Sequence, residues 1–322
     1  MPLRRSAKSL KPNRRGPARR VRQAPRHKLK LRRHKSVGTA ATAMIAASVA
    51  DLDACWQRVA DDASAEAVHA FRVSLRKLRV VLRIFRTLAP NPLDATRRSL
   101  GDMAKAAGRL RDLDVLVDDL VRPMPASASK AAMAALVASL ERQRSTARAA
   151  LINHLDGDGA RALRQQLAVF PQHLEPLLAI ADTRGGIGKF ALRNLERQWR
   201  KVRRKAKKLD NLTAAELHDL RKSLKTLRYA FENFAPFWKR RDRERFLSRL
   251  LHLQSALGHI NDAENAKVSL CRFAKGAQAG LAFASGLVIG TYATRQQAVL
   301  AGLDKHWHRL AVSKVARVLN QR

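Results

Sequence analysis

Residues 68–79 recur, 149 positions later, as residues 217–228. In this gapless alignment His69 matches His218, Arg72 matches Arg221, Ser74 matches Ser223, Leu75 matches Leu224, Leu78 matches Leu227 and Arg79 matches Arg228, with Arg76 answered by Lys225. Self-similarity at a fixed period implies one supersecondary unit used more than once, so the fold has to place two copies of the same segment in equivalent settings. The likeness extends both ways. Ser64 and Thr213 each stand five residues before their histidine, where either can cap a helix, and Glu216 completes a capping box with Thr213. Downstream, at an offset of 150, Gly108 matches Gly258 and Asp112 matches Asp262. Two halves follow, about 39–182 and 187–322, meeting near Gly185 and Gly186, where helix is least favoured.

The expected fold class is all-α, two tandem helical bundles. The 46% hydrophobic content excludes a wholly disordered basic chain. Strong helix formers dominate, and runs of β-branched residues are almost absent. Breaks are expected at 90–92, 123–129 and 156–159, where Pro, Gly, Ser and Asp gather. The apolar stretch 37–50 follows Arg32, Arg33 and Lys35 and superficially resembles a signal peptide. Its leader is too long for one, and the helical pattern runs on through Asp51 to Trp56, so the stretch reads as the first helix of the body. A second uncharged stretch, 277–293, is rich in Ala, Gly and Ser, weaker than a membrane span, and reads as a buried bundle helix. The two cysteines, Cys55 and Cys271, exclude a disulfide framework and a thiolate metal cluster; both are expected as buried free thiols in a reducing cytoplasm.

Charge narrows the function. The net charge of +38 makes a polyanion the first partner to consider. Residues 1–38 hold fifteen Lys or Arg and no acid, with four prolines and no apolar period, so they read as a disordered basic arm. The remainder still carries 49 basic against 26 acidic residues.

On a helix expected over 65–88, Val68, Phe71, Leu75, Leu78, Leu82 and Phe85 follow the spacing of a buried stripe. One position further on, His69, Arg72, Arg76, Arg79, Arg83 and Arg86 follow the same spacing. A shift of one residue is a rotation of about 100°, so the basic stripe borders the core instead of lying on the far, solvated face. Cations at i, i+3 and i+4 repel one another, a penalty no fold needs for its own sake, and the stripe is about 25 Å long, enough to follow several phosphates. Asp102, Asp112 and Asp114 are candidates to hold some of these arginines, but the charge excess leaves most for a ligand. The second copy offers His218, Arg221, Lys222, Lys225 and Arg228, then loses the stripe at Glu232. Each histidine is expected near a helix start, where a bound anion would favour its protonated form. Two further cationic runs, Arg193 to Lys207 and Arg245 to His259, have the default reading of solvated faces.

The histidine helices resemble those of the CHAD family, the conserved-histidine α-helical domain, which has two related helical halves each reading approximately V-H-x-x-R-x-x-x-R-x-x-R. The family's downstream element, approximately L-G-x-x-R-D-x-D, is similar to residues 107–114, where Gly108, Arg111, Asp112 and Asp114 match and Ala107 replaces the leucine. In the second half Leu257, Gly258 and Asp262 match, with Asn261 in place of the arginine and Glu264 in place of the second aspartate. The resemblance covers about 39–322. It implies binding of inorganic polyphosphate at the two histidine helices, some members residing on polyphosphate granules. The Glu-x-Glu-x-Lys signature of the triphosphatase domain fused to some relatives does not occur. The expectation is a cytoplasmic, non-catalytic protein with no cofactor, no metal and no membrane association, with nucleic acid bound non-specifically as the alternative and the tail as its contact. Aromatics are 5% of the chain and none lies in the basic stripe to stack on bases.

Overall fold

A computed structural model describes residues 36–124, 130–180, 186–207, 209–275 and 277–321. The expected basic arm falls almost wholly on residues 1–35, outside the described residues. Among those described, all regular secondary structure is helical. The first half comprises α1 (Val37–Asp61), α2 (Ala65–Ile84), α3 (Pro90–Asp114), α4 (Lys130–Asp156) and α5 (Asp158–Ile180). The second comprises α6 (Gly186–Lys205), α7 (Ala214–Phe234), α8 (Arg240–Ala274), α9 (Ala279–Ala301), α10 (Leu303–Ala311) and α11 (Lys314–Val318). Gly186, which opens the second half, has φ 67°, a left-handed conformation that favours glycine.

The caps act as the sequence implies. Ser64 Oγ accepts from the Ala67 backbone N–H, and Thr213 and Glu216 form the reciprocal capping box. The offset changes from 149 to 150 in the turn after Phe234: Phe85 matches Phe234, but α3 begins at Pro90 and α8 at Arg240. The helix expected over 65–88 ends earlier, at Ile84, with Phe85 as its cap. Arg86 therefore leaves the stripe and pairs with Asp94 at 2.5 Å.

Consecutive helices pack on one another, most extensively α1 with α2, α2 with α3 and α8 with α9, and α2 packs on α7 across the two halves. The stripe Val68, Phe71, Leu75, Leu78, Leu82 and Phe85 is fully buried, as are Leu220, Leu224, Leu227 and Phe231 of α7, in one core shared by both halves. A smaller core joins α4 and α9 through Leu136, Leu140, Ala284 and Val288, together with a π-helical turn, Val115–Val121, that extends α3. By length and composition α1 could cross a membrane; eleven of its residues are buried in the bundle.

Two expectations fail here. The stretch read as a buried helix forms α9, but only Ala284, Ser285 and Val288 of that helix are buried and Phe283 is 59% exposed. It lies on the outside of the bundle because α4 and α8 cover one face only. Cys55 is buried in α1 as expected, whereas Cys271, on the outer face of α8, is exposed.

Candidate functional site

The pairing of α2 with α7 brings the two histidine helices to a common cleft of about 660 Å³, walled by α3 and α8. His69, Arg72, Arg76, Arg79 and Arg83 line it from α2, and His218, Arg221, Lys222 and Lys225 from α7. Of the site residues read from sequence, Arg228 alone lies outside. Its guanidinium sits 4.4 Å from the centre of the Tyr229 ring and pairs with Glu232 at 3.7 Å.

Two contributors escaped the sequence reading as site residues. Arg97 and Arg111 of α3 also line the cleft. The signal was present: Arg97, Gly101, Ala104, Gly108 and Arg111 follow a 4,3,4,3 spacing on one face of α3. The small residues between the arginines make room for those of α2. A Cβ on Gly101 would stand 3.3 Å from Arg79 Nη2, and one on Gly108 4.0 Å from Arg72 Nη2.

Nine cationic side chains and three carboxylates line the cleft. Two carboxylates hold arginines in equivalent pairs: Arg72 with Asp112 at 3.3 Å, and Arg221 with Asp262 at 3.6 Å. Arg72 also donates to the Gly108 carbonyl at 3.3 Å. Asp114, expected to steady the basic stripe, is instead buried beneath α3 and bound to Arg144 at 2.9 Å; burial pushes its carboxyl above the usual range against the pull of Arg144. Asp102 engages Lys105 at 2.9 Å. Among the described residues no carboxylate lies within ion-pair distance of Arg76, Arg79, Arg83, Arg111 or Lys225. Among the described residues, the Nε atoms of Arg79 and Arg221 are buried without a hydrogen-bond partner. Such donors are costly to leave unmatched, and a cluster of like charges beside the core is held only at the expense of mutual repulsion.

That repulsion shows in the titrating groups. Lys225 is lowered to about 7 by burial and then by Arg76 and Arg221, with Asp262 pulling back. His69 is lowered to about 4 by burial, Arg111, Arg72, Arg76 and Lys225. The unliganded protein therefore keeps His69 neutral at physiological pH, and protonation there awaits a bound anion, as the sequence reading expects. His218, at the equivalent position, meets a different neighbour: its Nδ1 is hydrogen-bonded to Asn261 Oδ1. Asn261 stands where the first half has Arg111, so the repeat's one-residue difference gives the two histidines different surroundings.

The chemistry available is that of an anion cradle. Fixed guanidinium groups from three helices converge on one groove, and their planar donors match phosphate oxygens. Among the described residues no Phe, Tyr or Trp lines the cleft.

The CHAD domain family model matches residues 43–270. No curated protein matches the chain. The crystal structure of the CHAD domain from the plant Ricinus communis is similar with a TM-score of 0.79 at 23% identity, over 90% of this chain and 96% of that one. PptA from Streptomyces chartreusis is similar with a TM-score of 0.65 at 18% identity, over 85% of this chain and 100% of that one. Both likenesses are of fold.

Proposed function

The chain belongs to the CHAD domain family, and from that premise we propose that it binds inorganic polyphosphate in the cleft between its halves. The observation that carries this reading is the set of five cleft cations with no carboxylate in ion-pair distance among the described residues. A linear anion bearing charge at every phosphate neutralises such a row without needing base contacts, and the absence of large aromatic rings from the lining favours it over a single-stranded nucleic acid. Of the three cleft carboxylates, Asp112 and Asp262 are each engaged by an arginine, which supports reading the cleft as a holder and not a catalyst. Residence in the cytoplasm, on polyphosphate granules where these exist, goes with the same ligand.

The test is a titration of the full chain with long-chain polyphosphate and with duplex DNA at one physiological salt concentration. Polyphosphate is expected to bind more tightly, and Arg76→Ala with Arg79→Ala to weaken it far more than DNA. Equal affinities, both insensitive to the cleft changes, would favour non-specific nucleic-acid binding through the tail.

A further inference from the structure

The repeat relates α1 to α6 at the same offset that relates the histidine helices: α1 begins at Val37 and α6 at Gly186. One face of the two helices differs completely. Ala40, Met44, Leu52 and Cys55 of α1 are buried, and α5 packs along that helix, so close that a Cβ on Gly38 would stand 2.1 Å from the Leu178 carbonyl oxygen. The matching positions of α6 are Lys189, Arg193, Lys201 and Arg204. Lys189, Arg193, Arg197, Arg200 and Arg204 are exposed and Lys201 is half-buried. In the second half the last helices, α10 and α11, pack on α8 and meet α6 on another side, where Trp199 stacks on Trp307 at 5.6 Å and Arg203 donates to Asn320 Oδ1 at 2.8 Å. Four positions that are buried in one copy are therefore cationic in the other, three of them exposed and one half-buried. Among the described residues no carboxylate lies within ion-pair distance of Arg197, Arg200 or Arg204, and the single acid of α6, Glu196, is buried.

This face adjoins one end of the cleft. Phe190 of α6 stacks on Phe85 at the end of α2, with ring centres 5.4 Å apart and planes 5° from parallel. Lys201 is held below the usual lysine range by burial and then by Arg83, Arg197, Arg204 and Lys205, so the last arginine of the cleft and the cations of α6 share one field. The opposite end interrupts the row of cations with an acid. The residue matching Arg83 there is Glu232, which pairs with Arg228.

We propose that the polyanion path leaves the cleft past Arg83 and continues along the cationic face of α6, in that direction only, so that long chains are held on both surfaces and short ones in the cleft alone. The inference rests on the polyphosphate reading above. Each further phosphate neutralised by a lysine or arginine releases counterions, so a chain long enough to reach α6 gains affinity that a short one cannot.

The experiment compares tripolyphosphate with long-chain polyphosphate at one salt concentration. Arg197→Glu with Arg204→Glu should weaken long-chain binding by about tenfold or more and change tripolyphosphate binding by less than about twofold. The milder pair Arg197→Gln and Arg204→Gln should give an intermediate loss with the long chain. Arg241→Glu with Arg245→Glu, an equal charge change on exposed positions of α8 beyond Glu232, should cost the long chain much less. If wild type binds both probes and the α6 changes weaken them equally or not at all, or if the α8 pair weakens the long chain as much, the α6 path is wrong and the cleft reading stands. Wild type that binds neither probe overturns the cleft reading and the path together.

Discussion

Lys225 is the residue whose role the sequence concealed. In the alignment it is the conservative answer to Arg76, a cation for a cation. In the fold it faces His69 and Arg76 from α2, Arg221 and Arg228 along its own helix, and Asp262 from α8, and it is lowered to about 7. An unfolded lysine keeps its proton well above that value, so folding releases a proton from Lys225 at any pH between about 7 and the ordinary lysine range. Within that window the free protein should gain stability as pH rises, and the gain should be lost as pH falls through about 7. Binding runs the other way. A polyanion favours the ammonium form, so affinity should rise as pH falls toward about 7 and level off below it, with proton uptake measurable by calorimetry in two buffers. Lys225→Arg, which stays charged throughout, should flatten that dependence; an unchanged profile would remove Lys225 from the site. His69, lowered to about 4 in the free protein, takes up its proton in a more acidic window than Lys225.

At the scale of helices, close approach decides what each glycine does. Gly38 lets α1 meet the last turns of α5, and a Cβ there would collide with backbone at 2.1 Å. Gly38→Ala should therefore destabilise by about 1–3 kcal/mol, read as a Tm lowered by several degrees, without altering the cleft's charge. Gly101 lets α3 approach α2, but its neighbour at 3.3 Å is the mobile end of Arg79. Gly101→Ala should leave Tm nearly unchanged and weaken polyphosphate binding by about two- to tenfold, the effect of pushing one arginine off its rotamer at about 0.5–1.5 kcal/mol. The reverse pattern, a stable Gly38 variant and an unstable Gly101 variant, would mean the helix approaches are wrong. The capped starts and apolar stripes of α2 and α7 were legible because they depend on local backbone donors and a 3.6-residue period. The small-residue face of α3 was not, because its spacing acquires meaning only once the arginines of α2 lie across it.

Across the whole molecule, the cleft makes binding an electrostatic event shared by three helices. Log affinity for long-chain polyphosphate should fall linearly with log salt, and Arg72→Ala, Arg76→Ala and Arg79→Ala should each reduce that slope by up to about one unit, by analogy with duplex binding. Arg72→Ala should have the smallest effect, since Asp112 already neutralises part of its charge at 3.3 Å. Identical slopes in all three variants, with folding intact, would show that these arginines serve internal pairing. By itself the sequence determined the helical class, the division into two related halves, the caps and the adjacency of apolar and basic stripes, since all of these follow from backbone periodicity and local hydrogen bonding. Only the tertiary structure decided that the two stripes meet in one cleft, that Arg97 and Arg111 join it, that Arg228 is drawn away by Glu232, and that Lys225 rather than His69 is poised near neutral pH. Those outcomes depend on which side chains burial and like charge bring together, and the energies involved arise between helices that are distant in the chain.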